Sequence, residues 1–227
     1  MMVRRYLSFG AGVNSTALGL YLLEKGIEFE WVFADTGCEY PETYDYIKYL
    51  QEKLNIKITI VRPVVDGIDN LYDYCVKYRV IPLRIWRWCT DKFKVRPLRE
   101  YFKSPGVVYM GIDAGEAYRA KPVDIGGMVY EYPLIEEGID RKGCIEIIRS
   151  WGLEVPPKSG CFICPFQRRA QWLDLYRVHP DLFQKAVYLE KIVNERLRQE
   201  NRSPIYFREV PLEDLINIKQ LELFEFE

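Results

Sequence analysis

The chain has 227 residues, 48% of them hydrophobic and 29% charged, and a net charge of −1. That length suits one large domain or a domain with a small appendage, and the composition excludes a disordered chain. Near-neutral charge excludes a global field for nucleic acid, so any such contact needs a local patch.

No apolar run reaches the length of a membrane span, which predicts no membrane partner. Met1 to Arg5 lead straight into an apolar segment with no signal-peptide core, so the expectation is a cytoplasmic protein. Disulfides are rare in that compartment. The six cysteines are therefore expected to be core thiols, metal ligands or catalytic groups.

Tyr6 to Phe9 reads as a short buried strand. A Gly-rich turn follows, and a helix opens at Asn14-Ser15-Thr16 and runs to Lys25, where Gly26 stops it. This strand-turn-helix suits phosphate, because glycines allow close backbone approach and the helix start offers amides and positive dipole. An ordinary corner built of small residues is the competing reading. Phe29 to Phe33 is a second strand, ending in Ala34-Asp35-Thr36-Gly37. Pro41 to Leu54 is a helix with Pro41 in its first turn, and Lys57 to Val61 a third strand. The alternation predicts βαβ units and a parallel sheet, in which ligands bind outside the carboxyl ends of strands. Ser8–Ser15 and Asp35 both fall at such ends.

Ile68 to Tyr78 is predicted helical, with Cys75 a core thiol. Arg79 to Arg99 is basic, carrying Arg87, Lys92, Lys94 and Arg96 among Trp86 and Trp88, with Cys89 in its middle. It suits an anionic substrate or a nucleic-acid backbone, a solvated surface being the alternative. A helix is predicted from Pro97 to near Lys103. Val107 to Met110 is a further strand, closed by Gly111-Ile112-Asp113 and followed by Glu116 and Arg119. Asp140 caps a helix to Trp151 with Cys144 on its apolar face. A rigid loop, Pro156 to Gly160, leads into Cys161-Phe162-Ile163-Cys164-Pro165. Helices follow at Phe166–Val178 and Pro180–Gln199, with a short one at Leu212–Gln220 before a Glu-rich end. The expected division is an α/β nucleotide-binding domain over 1–135 and a helical, cysteine-containing region over 136–227 packed on it.

Cys161 and Cys164 have the spacing of a compact chelate, and a redox dithiol is the competing reading. Cys89 and Cys144 are the candidates to complete a four-thiolate site, which suits zinc (Zn2+) or a 4Fe-4S cluster equally. His179, before a proline, reads as structural.

Several segments together resemble a known family. Ser8-Phe9-Gly10-Ala11-Gly12-Val13-Asn14-Ser15 is similar to the PP-loop of the adenine-nucleotide α-hydrolase superfamily. Asp35-Thr36-Gly37 with Pro41-Glu42-Thr43, the run Cys89 to Leu98, and Gly111 to Arg119 resemble successive segments of its phosphoadenylyl-sulfate (PAPS) reductase branch. Lys158 to Phe166 resembles the C-terminal element of reductase-like proteins. The resemblance implies a three-layer α/β fold, a mostly parallel five-stranded sheet flanked by helices, with a C-terminal helical extension holding the cysteines. It implies an adenine nucleotide, ATP with Mg2+, cleaved between its α- and β-phosphates to adenylylate an acceptor. Ser8, Phe9, Gly10, Gly12, Asn14, Ser15, Thr16, Asp35 and Gly111 would bind the nucleotide, with Asp35 and Ser15 catalytic. Arg87, Lys92, Lys94, Arg96 and Arg119 would meet the anionic substrate. The activity so implied is of sulfurtransferase type, on tRNA, DNA or another anionic acceptor, with a sulfur donor protein as partner and a homodimer as assembly.

The sequence also departs from that pattern. Against the usual Ser-Gly-Gly-x-Asp-Ser, Gly10 replaces the first Ser, Ala11 a Gly and Asn14 the Asp. No cysteine follows Cys164 and no adjacent cysteine pair occurs, which disfavours ordinary sulfate reduction. A sulfonucleotide reductase variant using Cys161 or Cys164, and a nucleotide- or nucleic-acid-binding module with structural zinc, are the alternatives.

Overall fold

The computed structural model describes residues 3–120, 124–125 and 127–216. In chain order the regular elements are β1 (Arg4–Phe9), α1 (Val13–Glu24), β2 (Glu30–Ala34), α2 (Pro41–Leu54), β3 (Ile58–Val61), α3 (Leu71–Tyr78), α4 (Trp88–Thr90) and α5 (Arg96–Tyr101). They continue as β4 (Gly106–Met110), β5 (Asp124–Ile125), β6 (Met128–Glu131), α6 (Pro133–Glu136), α7 (Arg141–Ser150), α8 (Arg169–Val178) and α9 (Pro180–Gln199). Two compact units result. One comprises Met1–Asp35, Glu39–Pro63 and Lys94–Ser159; the other comprises Thr36–Cys38, Val64–Phe93 and Gly160–Glu227. This differs from the expected division at 135. Helices α6 and α7 return to the sheet unit, whereas residues 64–93 leave it.

The first unit is an α/β layer structure. Its sheet order is β3-β2-β1-β4-β6-β5. The first five of these strands pair in parallel, and two-residue β5 adds an antiparallel edge to β6. The expected five-stranded parallel sheet is present, with that edge as an addition the sequence did not signal. Strand periodicity explains why it needs helices on both faces. Leu7 and Phe9 of β1 feed a large core with Trp31, Phe33, Leu18, Leu50 and Ile148. Tyr6, one residue out of phase, joins Val32, Val108 and Phe102 in a second cluster, against which Leu98 and Tyr101 of α5 pack. Helix α2 starts with Pro41 at its first position, where a missing N–H costs nothing, and ends at Asn55 in the left-handed region. Helix α7 starts where the Asp140 carboxylate accepts from Gly143 N at 2.9 Å.

Strand order decides where a ligand can sit. From β1 the chain moves one way to β2 and β3, and β4 and β6 are then added on the other side. The carboxyl ends of β1 and β4 therefore flank a topological switch point, where open α/β sheets bind ligands.

The second unit is helical. Fully buried Trp172 of α8 stacks on Phe207 at 5.2 Å between ring centroids. Phe183 of α9 meets Tyr176 at 5.3 Å. Residues 212–216 are helical as expected. The rest of the predicted Leu212–Gln220 helix and the Glu-rich end lie outside the described residues.

Glu190 of α9 is a charged group placed in this core. Its carboxylate oxygens accept from Phe207 N and Leu212 N, both at 2.8 Å, tying the segment after α9 back onto the helix. Burial raises its pKa from 4.5 to about 7, the two amides opposing the shift. A carboxyl whose folded pKa is raised favours folding most while protonated in the native state. The contribution of Glu190 to stability is therefore fully present below about pH 4.5 and is lost as pH rises through 7, a change on the order of 3 kcal/mol. Urea unfolding at several pH values checks this, because Glu190→Gln should remove that slope.

Candidate functional site

In the first unit, residues 10–12 turn the chain from β1 into α1. Ser15, in the first turn of α1, folds its side chain back into this turn. Its Oγ accepts from Gly10 N at 3.1 Å and Gly12 N at 3.3 Å, and donates to Gly12 O at 3.1 Å. Two amides converging on one oxygen at a helix start make a nest of the kind that takes an anion oxygen. Ala11, between them, has φ of 52°, so the position calls for the left-handed region where alanine costs about 1 kcal/mol. Its methyl is buried in the core, which offsets part of that cost. Gly12 lies close to Ser159, whose Oγ would be 2.8 Å from a Cβ added there and can rotate away. Ser8 is half-buried at the end of β1. Phe9 points into the core and packs edge-on to Trp31 at 5.1 Å, so its contribution to the loop is through its backbone.

Gly111, at the end of β4, lies against the start of α1. A Cβ at this position would come 2.6 Å from Ser15 Cα and 2.7 Å from Ser15 N. The next turn brings in Asp113, which is buried. Asn14 Nδ2 donates to Asp113 Oδ2 at 2.8 Å, and Arg141 Nη1 donates to Asn14 Oδ1 at 2.9 Å. The other Asp113 oxygen accepts from Glu116 N at 3.1 Å. Asn14 is thus a neutral bridge between a carboxylate and a guanidinium. An aspartate at 14 would set two carboxylates against each other, which gives a physical reason for asparagine here. Asp113 was visible in the sequence only as a polar strand-end residue. Nothing in the sequence singled out Arg141.

Asp35, at the end of β2, is buried. It accepts from Tyr44 Oη at 2.7 Å and Arg62 Nε at 3.2 Å. The Arg62 side chain is 69% exposed, so water screens that pair and the tyrosine bond is the firmer anchor. Glu39, also buried, pairs with Lys94 Nζ at 3.1 Å. Tyr44, Arg62 and Glu39 were not among the expected site residues.

The expected anion-binding residues do not form one uniform patch. Lys94 holds Glu39, and Arg119 Nη1 pairs with Glu116 at 2.6 Å on the surface. Arg96 is exposed in α5. In the second unit, Lys92 Nζ donates to Tyr74 Oη at 2.6 Å. Arg87 and Arg84 both lie 5.7 Å from the ring of Phe166, itself half exposed.

The second unit also holds the CxxC turn, closed by Cys164 N donating to Cys161 O at 3.0 Å. Gln167, buried, donates to Phe162 O at 2.8 Å and props the turn from within. Phe162 N donates to Cys38 O, and Tyr72 N to Cys38 Sγ at 3.0 Å, so residues 36–38 are laced into this unit. Cys161 Sγ lies 3.3 Å from Thr36 Oγ1. Burial pushes the Cys75 thiol well above its usual value, and the proximity of Cys89 and Cys161 adds to the shift. Cys75 is thereby kept protonated.

Cys144 lies in the apolar core of the first unit, and burial pushes its thiol up to about 12. A thiol so placed packs as a small hydrophobe and does not supply a thiolate. Among the described residues no group of three or more His, Cys, Asp or Glu is arranged to hold a metal ion. Burial in the apolar core removes Cys144 from the expected set with Cys89, Cys161 and Cys164. Nor is any described helix long and apolar enough to cross a membrane.

A parallel sheet with a glycine turn into a helix at its switch point is the arrangement found in α/β proteins of the PP-loop kind. The family model for the phosphoadenosine phosphosulfate reductase domain matches residues 4–120, just over half of the chain, and the chain belongs to that family. Among solved structures, a phosphoadenylyl-sulfate reductase from Candida auris in a phosphate complex superposes with a TM-score of 0.53. It is 16% identical, over 71% of this chain and 82% of that one, a likeness of fold. The uncharacterized protein MJ0973 of Methanocaldococcus jannaschii is 27% identical over 195 residues, covering 79% of this chain and 46% of the relative. The nin region protein ORF290 of Escherichia phage lambda is 28% identical over 147 residues, 51% of this chain and 50% of that protein. The chain thus spans about half the length or less of these curated relatives.

Proposed function

We propose that this chain binds ATP with Mg2+ at the β1–α1 loop, adenylylates an anionic acceptor and releases pyrophosphate, in a reaction of sulfurtransferase type. The observation that carries the reading is the convergence of the Gly10 and Gly12 amides on one oxygen, at the start of a 12-residue helix. Amides and helix dipole together suit phosphate oxygens. Asp35 fits Mg2+, which is commonly held by one or two carboxylates with phosphate oxygens and water; bound there it would neutralise charge growing on the leaving group. The acceptor oxygen attacks the α-phosphorus, the bond to the bridging oxygen breaks, and pyrophosphate leaves. A sulfur nucleophile brought by a donor protein then displaces AMP from the acceptor. A nucleic acid such as tRNA or DNA suits the acceptor role, since the exposed cations lie beside aromatic side chains rather than in a uniform field.

The reading is tested by pyrophosphate release from Mg-ATP with tRNA and DNA fractions, under anaerobic conditions. Wild type should release pyrophosphate with one fraction, and Asp35→Asn should be slowed by about a hundredfold or more. Retained ATP binding with no release from any fraction would overturn the reading in favour of a binding module. A sulfonucleotide reductase variant is favoured by one feature, the partly exposed CxxC dithiol with Cys161 beside the Thr36 hydroxyl. Turnover of phosphoadenylyl sulfate with a dithiol donor, and none with ATP, would support that second reading instead.

A further inference from the structure

We infer that the second unit carries a nucleotide-binding pocket of its own, which stacks an aromatic base on Trp86 and Trp88 and meets its phosphate with Arg196 and Arg202. The inference does not rest on ATP turnover at the β1–α1 loop, and no residue of that loop lines the pocket. The cavity is about 520 Å3, and its walls come from α3, the segment that follows it, and α9 with the residues after it. Such a volume falls in the usual range for small-molecule sites.

Tyr74 is the hub of the aromatic wall. Its ring lies 4.6 Å from Tyr78 and 5.6 Å from Trp88 between centroids. Lys92 fixes it from the side, donating to its hydroxyl at 2.6 Å with the ammonium 4.9 Å from the ring centre. Trp86 is different. Its side chain lines the cavity yet the residue is 73% exposed, so core packing does not account for an indole there. Exposed indoles beside cations are what unpaired bases stack upon.

Charge decides among the ligands that four aromatic rings could hold. Rings alone would also suit a quaternary ammonium. Lys92, Arg196 and Arg202 line the same cavity and would repel a cation. An aliphatic guest would leave the guanidiniums without a role. An aromatic ring that carries an anion uses both sets of groups, and a nucleotide is that combination. The two arginines share Glu200 at 3.5 and 3.4 Å, long and partly exposed contacts that hold the guanidiniums weakly and that a phosphate can outcompete. A free mononucleotide and one nucleotide of a single strand present the same chemistry.

The test is calorimetry and tryptophan fluorescence on the full chain, with AMP and with a 5′-phosphorylated tetra-adenylate as probes. Both should bind and quench. Trp86→Ala and Arg202→Ala should each weaken binding about tenfold while leaving the circular dichroism of wild type, and Ser15→Ala should leave pocket binding unchanged. Equal affinity for the two probes assigns the pocket to a free nucleotide. Tighter tetramer binding that weakens with salt assigns it to a strand. Absence of binding by both probes overturns the inference, as does binding whose affinity and stoichiometry are unchanged in both pocket variants.

Discussion

Gly111→Ala is expected to destabilise the protein by about 2–3 kcal/mol and to abolish the ATP binding proposed for the β1–α1 loop. The new methyl would fall 2.6 Å from Ser15 Cα, 2.7 Å from Ser15 N and 3.0 Å from Asn14 C. All three are backbone atoms of the turn that starts α1, so no side chain can swing away to make room. Either β4 or α1 must move, and both carry parts of the same loop. Gly10→Ala is the contrasting case. Its Cβ would meet only Ser15 Oγ, at 3.8 Å, so stability should stay near wild type. Urea unfolding of the two variants, with ATP titration of each, separates a steric cause from a general intolerance of alanine in this region.

Restoring the family's aspartate in the loop should weaken this particular chain. Asn14→Asp is expected to cost about 2–3 kcal/mol at pH 8 and much less at pH 5. The Asn14 amide now donates to Asp113 at 2.8 Å inside a buried turn, and a carboxylate there would lose that bond and face a like charge. Arg141, on the other oxygen, offsets part of the repulsion. The introduced carboxyl would have a raised pKa in the folded state, so stability returns as it takes up a proton on acidification. Unfolding midpoints of the variant and wild type at both pH values check the sign. A variant as stable as wild type at pH 8 would show that Asn14 and Asp113 are not coupled as the geometry requires.

The layered sheet was legible because its signals are local. Short apolar strands, helical periodicity and turn residues at Gly26, Gly37 and Pro41 each mark an element without knowledge of the others. The loop at Gly10–Gly12 and Asp35 were legible for a related reason, since strand ends are where such sheets bind ligands. What stayed hidden depends on residues far apart in the chain. Arg141 reaches Asn14 only because α7 packs on α1, and no pattern in Arg141-Lys142-Gly143 announces that. Cys144 lies next to it on the same helix. From sequence it was as good a ligand candidate as Cys89, and only burial in the Leu7–Phe33 core makes it a packing residue. Lys92 and Lys94 illustrate the same limit for charge. A basic run is readable, but its carboxylate and aromatic partners are supplied by the fold.

The position of β1 in the middle of its sheet has a consequence for how the chain is made. Its partner on one side, β2, follows within a few tens of residues, but its partner on the other, β4, begins at Gly106. Asn14 and Asp113 are 99 residues apart in sequence. During synthesis the glycine turn therefore emerges early and stays incomplete, without the strand that carries Gly111 or the carboxylate that holds Asn14. At ordinary rates of about 5–20 residues per second, several seconds pass before either can dock. Through that interval β1 lacks its β4 neighbour and the Asn14 side chain lacks its carboxylate partner, so the switch point of the sheet is completed only after residue 113 has been made.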